Sequence, residues 1–242
     1  MSSERNPDPG VGAVRHDDFA TATPDPIERF HRWYSEAQPG GGRRGLSQRL
    51  AYVIYAVLRR AVPLVFQSAN LFRPDVATLA TVGPGNRPSA RSVLFQGVVD
   101  GGFSFYTDYQ SDKGRELDAN PSAVMLFYWS LPPRQVRIDG HVVELSRERA
   151  AAYWATRTRA NQAASASVTQ SSVVSGRHEL LERKRQIEEA YRDAPIPCPN
   201  AWGGYALVPD RIEFWEGSRD WVHHRERFTL RDGRWERAVV AP

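Results

Sequence analysis

The stretch "VATLATVGPGNRPSARSVLFQGVVDGGFSFYTD", residues 76–108, decides the fold of this chain. It holds three runs rich in β-branched and aromatic residues, a composition typical of β-strands. The segments between the runs, "GPGN" and "DGG", consist of residues that favour tight turns. Strands that follow one another without a long helix between them pair antiparallel, because parallel pairing requires a long crossover. The stretch therefore predicts an antiparallel sheet or barrel.

The same strand-like composition continues towards the C-terminus. Further runs of this kind are "SAVMLFYW", "RQVRIDGHVVEL" and, between residues 204 and 240, "GYALV", "RIEFWEG", "RFTLR" and "WERAVV". Helical patterns interrupt them at about residues 111–119, 146–157 and 177–193. The small polar residues at 158–172 are typical of a loop. The predicted fold class is therefore mostly β with flanking helices.

The N-terminal part of the chain differs from the rest. Residues 1–24 are rich in Pro, Asp, Ser and Gly and predict a flexible tail. Residues 25–38 predict a helix. Residues 46–60 carry apolar side chains at helical spacing between arginines, which indicates a helix packed on the core or on a partner subunit, or alternatively one on a membrane surface. We expect one folded domain over residues 25–242, with an inserted helical segment at about 41–70.

Composition excludes several classes of protein. The chain has 242 residues, a net charge of +4 and one cysteine, which excludes an internal disulfide and a cysteine-based zinc site. That cysteine content and the polar start of the chain predict a cytoplasmic protein without a secretory signal. The most apolar segment, "LAYVIYAVL", is far shorter than the roughly 20 residues of a membrane span. The mild basic excess suits anionic ligands, but no basic stripe or recognition helix indicates nucleic-acid binding.

The segment "FYTDYQSDKGREL", residues 105–117, has the features of an anion site. Tyr106 and Thr107 end a predicted strand. Ser111 is placed to cap the following helix, and Lys113 lies in its first turn. A helix N-terminus, a lysine and hydroxyl groups together attract a phosphate. A capped surface helix explains the same residues, so the segment alone leaves both interpretations open.

Other polar residues also allow two interpretations. Arg91, on the strand "SARSVLFQ", is either a ligand-binding cation or a charge at the edge of the sheet. Gln135 is either a hydrogen-bonding partner for a heterocycle or an amide that faces solvent. Tyr153 and Arg157 are spaced so that on a helix they share one face and can hold one anionic group.

The segment "EFWEGSRDWVHHRERF", residues 213–228, combines aromatic rings with positive charge. Trp215 is either the wall of a flavin site or a core residue. Side chains that can meet an anion follow it, namely Arg219, His223, His224 and Arg225. Two adjacent histidines on a strand point to opposite faces and cannot serve one site. Because no further ligand lies at a suitable spacing, we predict no metal site.

Taken in order, these motifs resemble those of one family, the pyridoxamine 5′-phosphate oxidases, which are FMN enzymes of the split-barrel fold. The strings that carry the resemblance are "RSVLFQ", "FYTDYQSDKGRELDANP", "RQVRIDG", "TQSS", "IPCPNAWGGYALVPDRIEFWEGS", "HHR" and "RWERAVVAP". They cover about residues 76–242, and the segment at 41–70 is outside the compact family pattern. The resemblance implies an antiparallel FMN-binding split β-barrel and a homodimer with FMN at the subunit interface.

The resemblance also implies roles for individual residues. The positions that match FMN contacts, some of them from the other subunit, are Arg91, Ser92, Val93, Leu94, Tyr106, Thr107, Lys113, Gln135, Gln170, Ser171, Trp215 and Arg225. His223 matches the active-site histidine that faces the substrate. The substrate-side positions are Gln96, Tyr153, Arg157, Asn161, Trp221 and His223.

Four positions depart from the pyridoxal-forming enzymes of this family. Those enzymes have an arginine at the position of Trp221, a lysine at Gln96 and a serine at Asn161. A flavin-side arginine is replaced by Asp112, next to the retained Lys113. The substrate side therefore loses two positive charges and gains an aromatic ring. This pattern is similar to that of the FMN oxidases of phenazine biosynthesis.

These observations lead to one hypothesis and two alternatives. We expect an FMN-dependent oxidase of secondary metabolism, for example of antibiotic biosynthesis. It oxidises a cyclic or aromatic intermediate, or an amine, with dioxygen and releases hydrogen peroxide. The first alternative is a genuine pyridoxamine 5′-phosphate oxidase. The second is a split barrel that binds flavin, deazaflavin or haem without turnover.

Overall fold

A computed structural model describes residues 25–38, 73–130 and 132–242. The predicted tail at 1–24, the inserted segment at 41–70 and the helix at 46–60 lie outside these ranges. The described elements are α1 Pro26–Ala37, β1 Val76–Gly83, β2 Arg87–Val99, β3 Gly102–Asp108, α2 Asp112–Ala119, β4 Ser122–Ser130, β5 Pro133–Glu144, α3 Arg147–Thr156, α4 Arg159–Ala166, α5 Arg177–Ala190, β6 Trp202–Glu216, β7 His224–Arg231 and β8 Arg234–Val239. Within the described ranges, every helix is too short or too polar to cross a bilayer.

The eight strands form one sheet in the order β3-β2-β1-β4-β5-β6-β7-β8, and an additional pairing of β3 with β6 closes six of them into a barrel. The β1–β2 pair is antiparallel and runs in register from Val76 opposite Leu94 to Gly83 opposite Arg87. A tight turn joins these two strands, in which Gly85 and Asn86 have φ of 70° and 58°. Glycine and asparagine are the residues that adopt this left-handed conformation most readily. The predicted antiparallel split barrel is confirmed.

The described residues divide into two compact units. The barrel unit comprises Asp75–Phe127 and Arg137–Arg211. Its centre is built from aromatic and aliphatic side chains that point inwards from alternate strand positions, among them Leu79, Phe95, Phe103, Phe105, Met125, Phe127, Ile138 and Leu207. This alternation is the period-two pattern that the sequence predicts for strands with one buried face.

The terminal unit comprises the described residues up to Pro74, together with Tyr128–Val136 and Ile212–Pro242. Asp25 caps helix α1, because its carboxylate accepts a hydrogen bond of 2.7 Å from the amide of Ile27. The helix buries Phe30 and Trp33, and the Trp33 ring meets that of Phe214 edge-on at 5.1 Å. The predicted helix at 25–38 is therefore confirmed as an amphipathic helix whose apolar face packs on β6.

Buried ion pairs accompany this apolar contact. Arg29, on α1, is fully buried and forms an ion pair with Glu226 on β7. Arg134, on β5, forms ion pairs of 2.5 Å with Glu216 and with Glu36. The side chain of Arg134 also lies over the Trp33 ring at 4.4 Å. The first helix is thus held by charge as well as by apolar packing.

Two parts of the structure differ from the sequence prediction. The runs at 204–208 and 211–217 belong to one strand, β6, which continues through Pro209. Pairing of β6 with β3 ends at Leu207, so Pro209, which has no amide hydrogen, follows the last residue of that ladder. The predicted loop at 158–172 contains helix α4. Its Thr158 cap and its four alanines explain the helix, because alanine has the highest helix propensity.

Candidate functional site

A cluster of hydroxyl, amide and ammonium groups lies at the N-terminus of α2, in the barrel unit. The Lys113 ammonium donates hydrogen bonds to Thr107 Oγ1 at 3.1 Å, Ser111 Oγ at 3.1 Å and Gln170 Oε1 at 2.9 Å. The Thr107 hydroxyl also donates to Gln170 Oε1 at 3.1 Å. Ser171 Oγ accepts a hydrogen bond of 3.2 Å from the amide of Asp112, the first residue of the helix. We name these five side chains, Thr107, Ser111, Lys113, Gln170 and Ser171, the phosphate cradle.

Local sequence explains why the cradle forms. Ser111 caps α2 by accepting from the amide of Gly114 at 3.2 Å, as the sequence predicts. A Cβ at Gly114 would lie 2.0 Å from the carbonyl oxygen of Tyr109, so only glycine lets the helix begin this close to β3. The loop that carries Gln170 is fixed because the backbone amide of Gln170 donates a hydrogen bond of 2.9 Å to Asp108 Oδ2.

The electrostatics of the cradle favour an anion. Burial, and next the nearby charge of Arg91, hold the pKa of Lys113 below its ordinary value. The partners of its ammonium are neutral oxygens, and within the described ranges no carboxylate lies at ion-pair distance from it. A desolvated cation beside a helix N-terminus is stabilised when a phosphate group approaches. The residues present therefore fit the phosphate end of FMN.

Arg91, on β2, is also held in place. Its guanidinium donates to Thr81 Oγ1, to Ser89 Oγ at 2.6 Å and to Glu116 Oε2 at 2.7 Å. Burial would raise the pKa of Glu116, but hydrogen bonds from Thr81 and Arg91 outweigh it, and the pKa is lowered. Sequence reasoning missed Glu116, because its partners lie on two other elements. Arg91 is thus a preorganised cation whose charge is partly compensated.

The other candidates on β2 alternate in exposure. Ser92 is exposed and Leu94 is 46% exposed, whereas the side chain of Val93 lies in the core. Because its side chain is buried, Val93 can contact a ligand only through its backbone. Gln96 is half-buried at a bulge, where the pairing of β2 with β3 shifts between Phe95 and Val98.

Three aromatic rings stack in the barrel unit. The ring of Tyr106 lies 4.1 Å from that of Tyr153 and 5.4 Å from that of Trp202, at interplanar angles of 18° and 10°. A Cβ at Gly204 would lie 2.7 Å from the Tyr106 ring, so the glycine allows this close approach. Trp202 was missed from the sequence. The stack belongs to a buried apolar cluster and contains one cofactor candidate, Tyr106, and one substrate candidate, Tyr153.

Tyr153 and Arg157 both face the Trp202 ring, as expected for residues four apart at the end of one helix. Helix α3 ends at Thr156, and Arg157 is its C-cap with extended backbone, at ψ 146°. Its guanidinium lies 5.0 Å from the Trp202 ring centroid and donates to Ser165 Oγ at 2.9 Å. Burial lowers the pKa of Arg157. Asn161 is exposed on α4.

In the terminal unit, a turn at residues 218–221 projects an aromatic ring into solvent. The amide of Trp221 donates to the carbonyl of Ser218 at 3.3 Å, and Trp221 has φ of 64°. Its side chain is 81% exposed. A bulky residue in this left-handed conformation is unusual and stores backbone strain. Asp220 stabilises the turn, because its carboxylate accepts from the amide of Val222 at 3.0 Å.

His223 follows this turn and precedes β7, which begins at His224, so the predicted opposition of two strand histidines does not apply. The imidazole lies between two indoles, with ring centroids 4.9 Å from Trp215 and 6.1 Å from Trp221. Its Nδ1 accepts a hydrogen bond of 3.1 Å from the amide of Ser218. In the neutral ring Nε2 therefore carries the proton, and His223 presents a donor.

Arg225 and Gln135 complete the candidates of the terminal unit. Arg225 donates to Glu213 Oε1 at 2.6 Å and to the carbonyl of Ala241 at 3.0 Å, which ties β7 to the end of the chain. A cavity of about 250 Å³ lies between residues 222–226 and 239–242. Gln135 is half-buried near the start of β5. The candidate residues thus form two groups, one in each unit.

Comparison with known families supports the expected relationship. Residues 67–189 match the family model described as pyridoxamine 5′-phosphate oxidase. Residues 202–242 match the model described as the pyridoxine 5′-phosphate oxidase C-terminal dimerisation region. The second match includes Trp215, Trp221, His223 and Arg225.

Curated relatives extend the similarity over most of the chain. The pyridoxine/pyridoxamine 5′-phosphate oxidase of Rubrobacter xylanophilus is 38% identical over 221 residues, covering 91% of this chain and 88% of the relative. The enzyme of the same name from Paraburkholderia xenovorans is 44% identical over 176 residues, covering 72% of this chain and 82% of the relative.

Solved structures show the same fold. PhzG from Burkholderia lata 383, crystallised with tetrahydrophenazine-1-carboxylic acid, has a TM-score of 0.74 and 24% identity, covering 96% of this chain and 99% of that protein. A pyridoxamine 5′-phosphate oxidase-related, FMN-binding protein from Nostoc punctiforme has a TM-score of 0.57 and 18% identity, covering 77% and 96%. Together with the family models and the curated relatives, these matches show that the chain belongs to the pyridoxamine 5′-phosphate oxidase family of FMN-dependent oxidoreductases.

Proposed function

We propose that this protein is a cytoplasmic FMN-dependent oxidase of secondary metabolism that acts on a cyclic or aromatic intermediate, or on an amine. Bound FMN supplies the two-electron oxidation of the substrate and the subsequent reduction of dioxygen to hydrogen peroxide. The phosphate cradle and Arg91 hold the phosphate of FMN. The match of residues 202–242 to a dimerisation region supports a homodimer, and the resemblance implies that FMN lies at its subunit interface.

The observation that carries this proposal is the placement of Trp221. Its ring is exposed, stands next to His223 and is held by a turn that imposes a strained backbone. In water an exposed indole offers a stacking surface to a flat apolar ligand. The resemblance implies an arginine at this position in the pyridoxal-forming enzymes, where a cation meets a phosphorylated substrate. The substitution therefore favours an aromatic substrate.

His223 has a defined role in this proposal. Because its Nδ1 accepts from the Ser218 amide, the neutral imidazole donates through Nε2 and does not accept a proton there. It orients a substrate that offers an acceptor, such as a carboxylate or a carbonyl oxygen. The Trp215 ring packs beside the imidazole at 4.9 Å, and the Trp221 ring lies edge-on at 6.1 Å.

The substrate side also lacks two of the positive charges that the resemblance implies in the pyridoxal-forming enzymes. Gln96 and Trp221 stand where the resemblance implies a lysine and an arginine. Each charge-assisted contact to a phosphate contributes about 1.5 to 3 kcal/mol. Without both contacts, affinity for a pyridoxamine phosphate is expected to fall by roughly two to four powers of ten.

Replacing Trp221 by arginine tests the proposal. The purified protein is mixed anaerobically with pyridoxine 5′-phosphate or with a reduced, carboxylated tricyclic compound, and the loss of the flavin absorbance band is followed. We expect the wild type to bleach with the tricyclic compound and to stay oxidised with the phosphate. In Trp221→Arg, the rate of flavin reduction by pyridoxine 5′-phosphate is expected to rise about tenfold, which is the effect of one new charge-assisted contact.

Trp221→Asn is the matched control, because asparagine accepts the left-handed backbone and removes the ring without adding charge. It is expected to slow reduction by the tricyclic compound without accelerating reduction by the phosphate. Rapid bleaching of the wild type by pyridoxine 5′-phosphate would contradict the proposal.

A second candidate is a genuine pyridoxine/pyridoxamine 5′-phosphate oxidase. The relatives with that name, at 38% and 44% identity, favour it. Tyr153 and Arg157, which match substrate-side positions, are also retained. The bleaching experiment separates the two candidates, because only the second requires fast reduction of the wild type by pyridoxine 5′-phosphate.

A further inference from the structure

Asp112 and Arg115 form an ion pair at the N-terminal turn of α2, next to the phosphate cradle. Arg115 Nη2 lies 2.6 Å from Asp112 Oδ1, and the two side chains are 61% and 62% exposed. The guanidinium also donates to the carbonyl of Gln110, which holds it at the beginning of the helix. Both side chains line a cavity of about 580 Å³ between α2 and the turn that joins β1 and β2.

The charges around the cradle are balanced. The cations are Arg91, Lys113 and Arg115, and the carboxylates are Asp108, Asp112 and Glu116. Asp108 accepts from the amides of Gln110 and Gln170, and Glu116 accepts from Arg91. A phosphate monoester carries a charge of about −1.5 to −2 at pH 7. Without Arg115 the cradle would have an excess of negative charge, which would oppose the binding of such a group.

We infer that Arg115 is a positioning residue for FMN affinity, which acts by neutralising Asp112. The inference rests on the proposed function, because it concerns the affinity of the same site for FMN. The Asp112 amide donates a hydrogen bond to Ser171 Oγ in the cradle. The Asp112 carboxylate is therefore attached to the helical turn that would face the phosphate. A free carboxylate there repels the phosphate, whereas a paired one does not.

A double-mutant cycle on the full chain tests this inference. FMN is removed from the protein, and the dissociation constants of FMN and riboflavin are measured by quenching of flavin fluorescence at low and high NaCl concentration. Arg115→Ala is expected to weaken FMN binding about fivefold to tenfold, and Asp112→Asn to strengthen it about twofold to fivefold. The double variant is expected to lie within about threefold of the wild type.

Two further readouts identify the mechanism as electrostatic. Riboflavin lacks the phosphate, so its dissociation constant should be the same in all four proteins. The effect on FMN should shrink in high salt, because exposed charges are screened. Arg192→Ala is the matched control. Arg192 forms an ion pair of 2.6 Å with Glu189, three residues before it, and the two side chains are 68% and 61% exposed. The spacing, distance and exposure match those of Arg115 and Asp112, but this pair lies outside the cradle. Arg192→Ala should leave FMN binding unchanged.

The outcomes separate this inference from the proposed function. If Arg115→Ala leaves FMN affinity unchanged, or weakens FMN and riboflavin equally, the inference is wrong although FMN still binds. If Asp112→Asn weakens FMN binding, the carboxylate is favourable and the inference is also wrong. If the wild type binds neither flavin, the proposed function itself fails, and the inference fails with it.

Discussion

Replacing Lys113 by methionine is expected to weaken FMN binding about 100-fold while leaving the protein without FMN at least as stable as the wild type. The ammonium lies at the centre of the cradle, in contact with Thr107, Ser111 and Gln170. A charge-assisted hydrogen bond to a phosphate is worth about 1.5 to 3 kcal/mol, which corresponds to roughly tenfold to 150-fold in affinity. Methionine keeps the length and the apolar stem of the side chain and removes its charge.

The expected gain in stability follows from the same environment. Burial, followed by the charge of Arg91, lowers the pKa of Lys113, so the charged form is disfavoured when no anion is present. An uncharged side chain avoids that penalty. Urea denaturation of both proteins without FMN measures the free energies of unfolding, and flavin fluorescence measures the affinities.

The pH dependence gives an independent check on Lys113. Its pKa lies below the ordinary 10.5, and a bound phosphate favours the protonated form. FMN affinity should therefore fall as pH rises towards and through that lowered pKa, and the fall should be absent in Lys113→Met. A purely structural lysine would show the reverse pattern: Lys113→Met would destabilise the protein and would not change the ratio of FMN to riboflavin affinity.

Much of the cradle follows from local sequence. A helix cap at Ser111, a cation in the next turn and a hydroxyl at the end of the preceding strand are near neighbours in the chain, and their geometry is set by helix and strand periodicity. Gln170 was assigned by resemblance alone, because about 60 residues separate it from Lys113 and no periodic rule brings them together. The structure places it at hydrogen-bond distance from Lys113.

The features that sequence reasoning missed depend on packing between distant elements. Glu116 looks like an ordinary exposed helix residue, yet it binds Arg91 from another element. Trp202 joins the aromatic stack because Gly204 lets Tyr106 approach the strand. Helix α3 ends at Thr156, one residue earlier than predicted, and Arg157 follows it as the C-cap. Helix ends and long-range contacts of this kind are set by tertiary structure, which local propensity does not encode.

Replacing Glu226 by glutamine is expected to lower the free energy of unfolding by about 3 kcal/mol at pH 7. Glu226 is buried on β7 between Arg29 and Arg237 and forms ion pairs with both. Arg29 is fully buried, and its guanidinium lies 4.7 Å from the Phe214 ring centroid. Removing one member of a buried ion pair typically costs about 3 to 5 kcal/mol, because the remaining charge loses its counter-ion in a poorly solvated place. Glutamine keeps the shape of the side chain, so the loss reports charge rather than packing.

The effect of Glu226→Gln should depend on pH in one direction. Burial would raise the pKa of Glu226, but hydrogen bonds from Arg237 and Arg29 outweigh it, and the pKa in the folded protein lies below the ordinary 4.5. The unfolded chain therefore binds a proton first on acidification, so this contribution is complete above about pH 5 and is lost as pH falls through the folded pKa. In urea denaturation, the difference between wild type and Glu226→Gln should shrink below about pH 4.

Glu236→Gln, in an exposed pair with Arg231 on the neighbouring strand, should cost less than about 1 kcal/mol at every pH. An equal loss in both variants, or a difference that stays constant down to pH 3, would show that Arg29 does not depend on Glu226 for its stability in the folded protein.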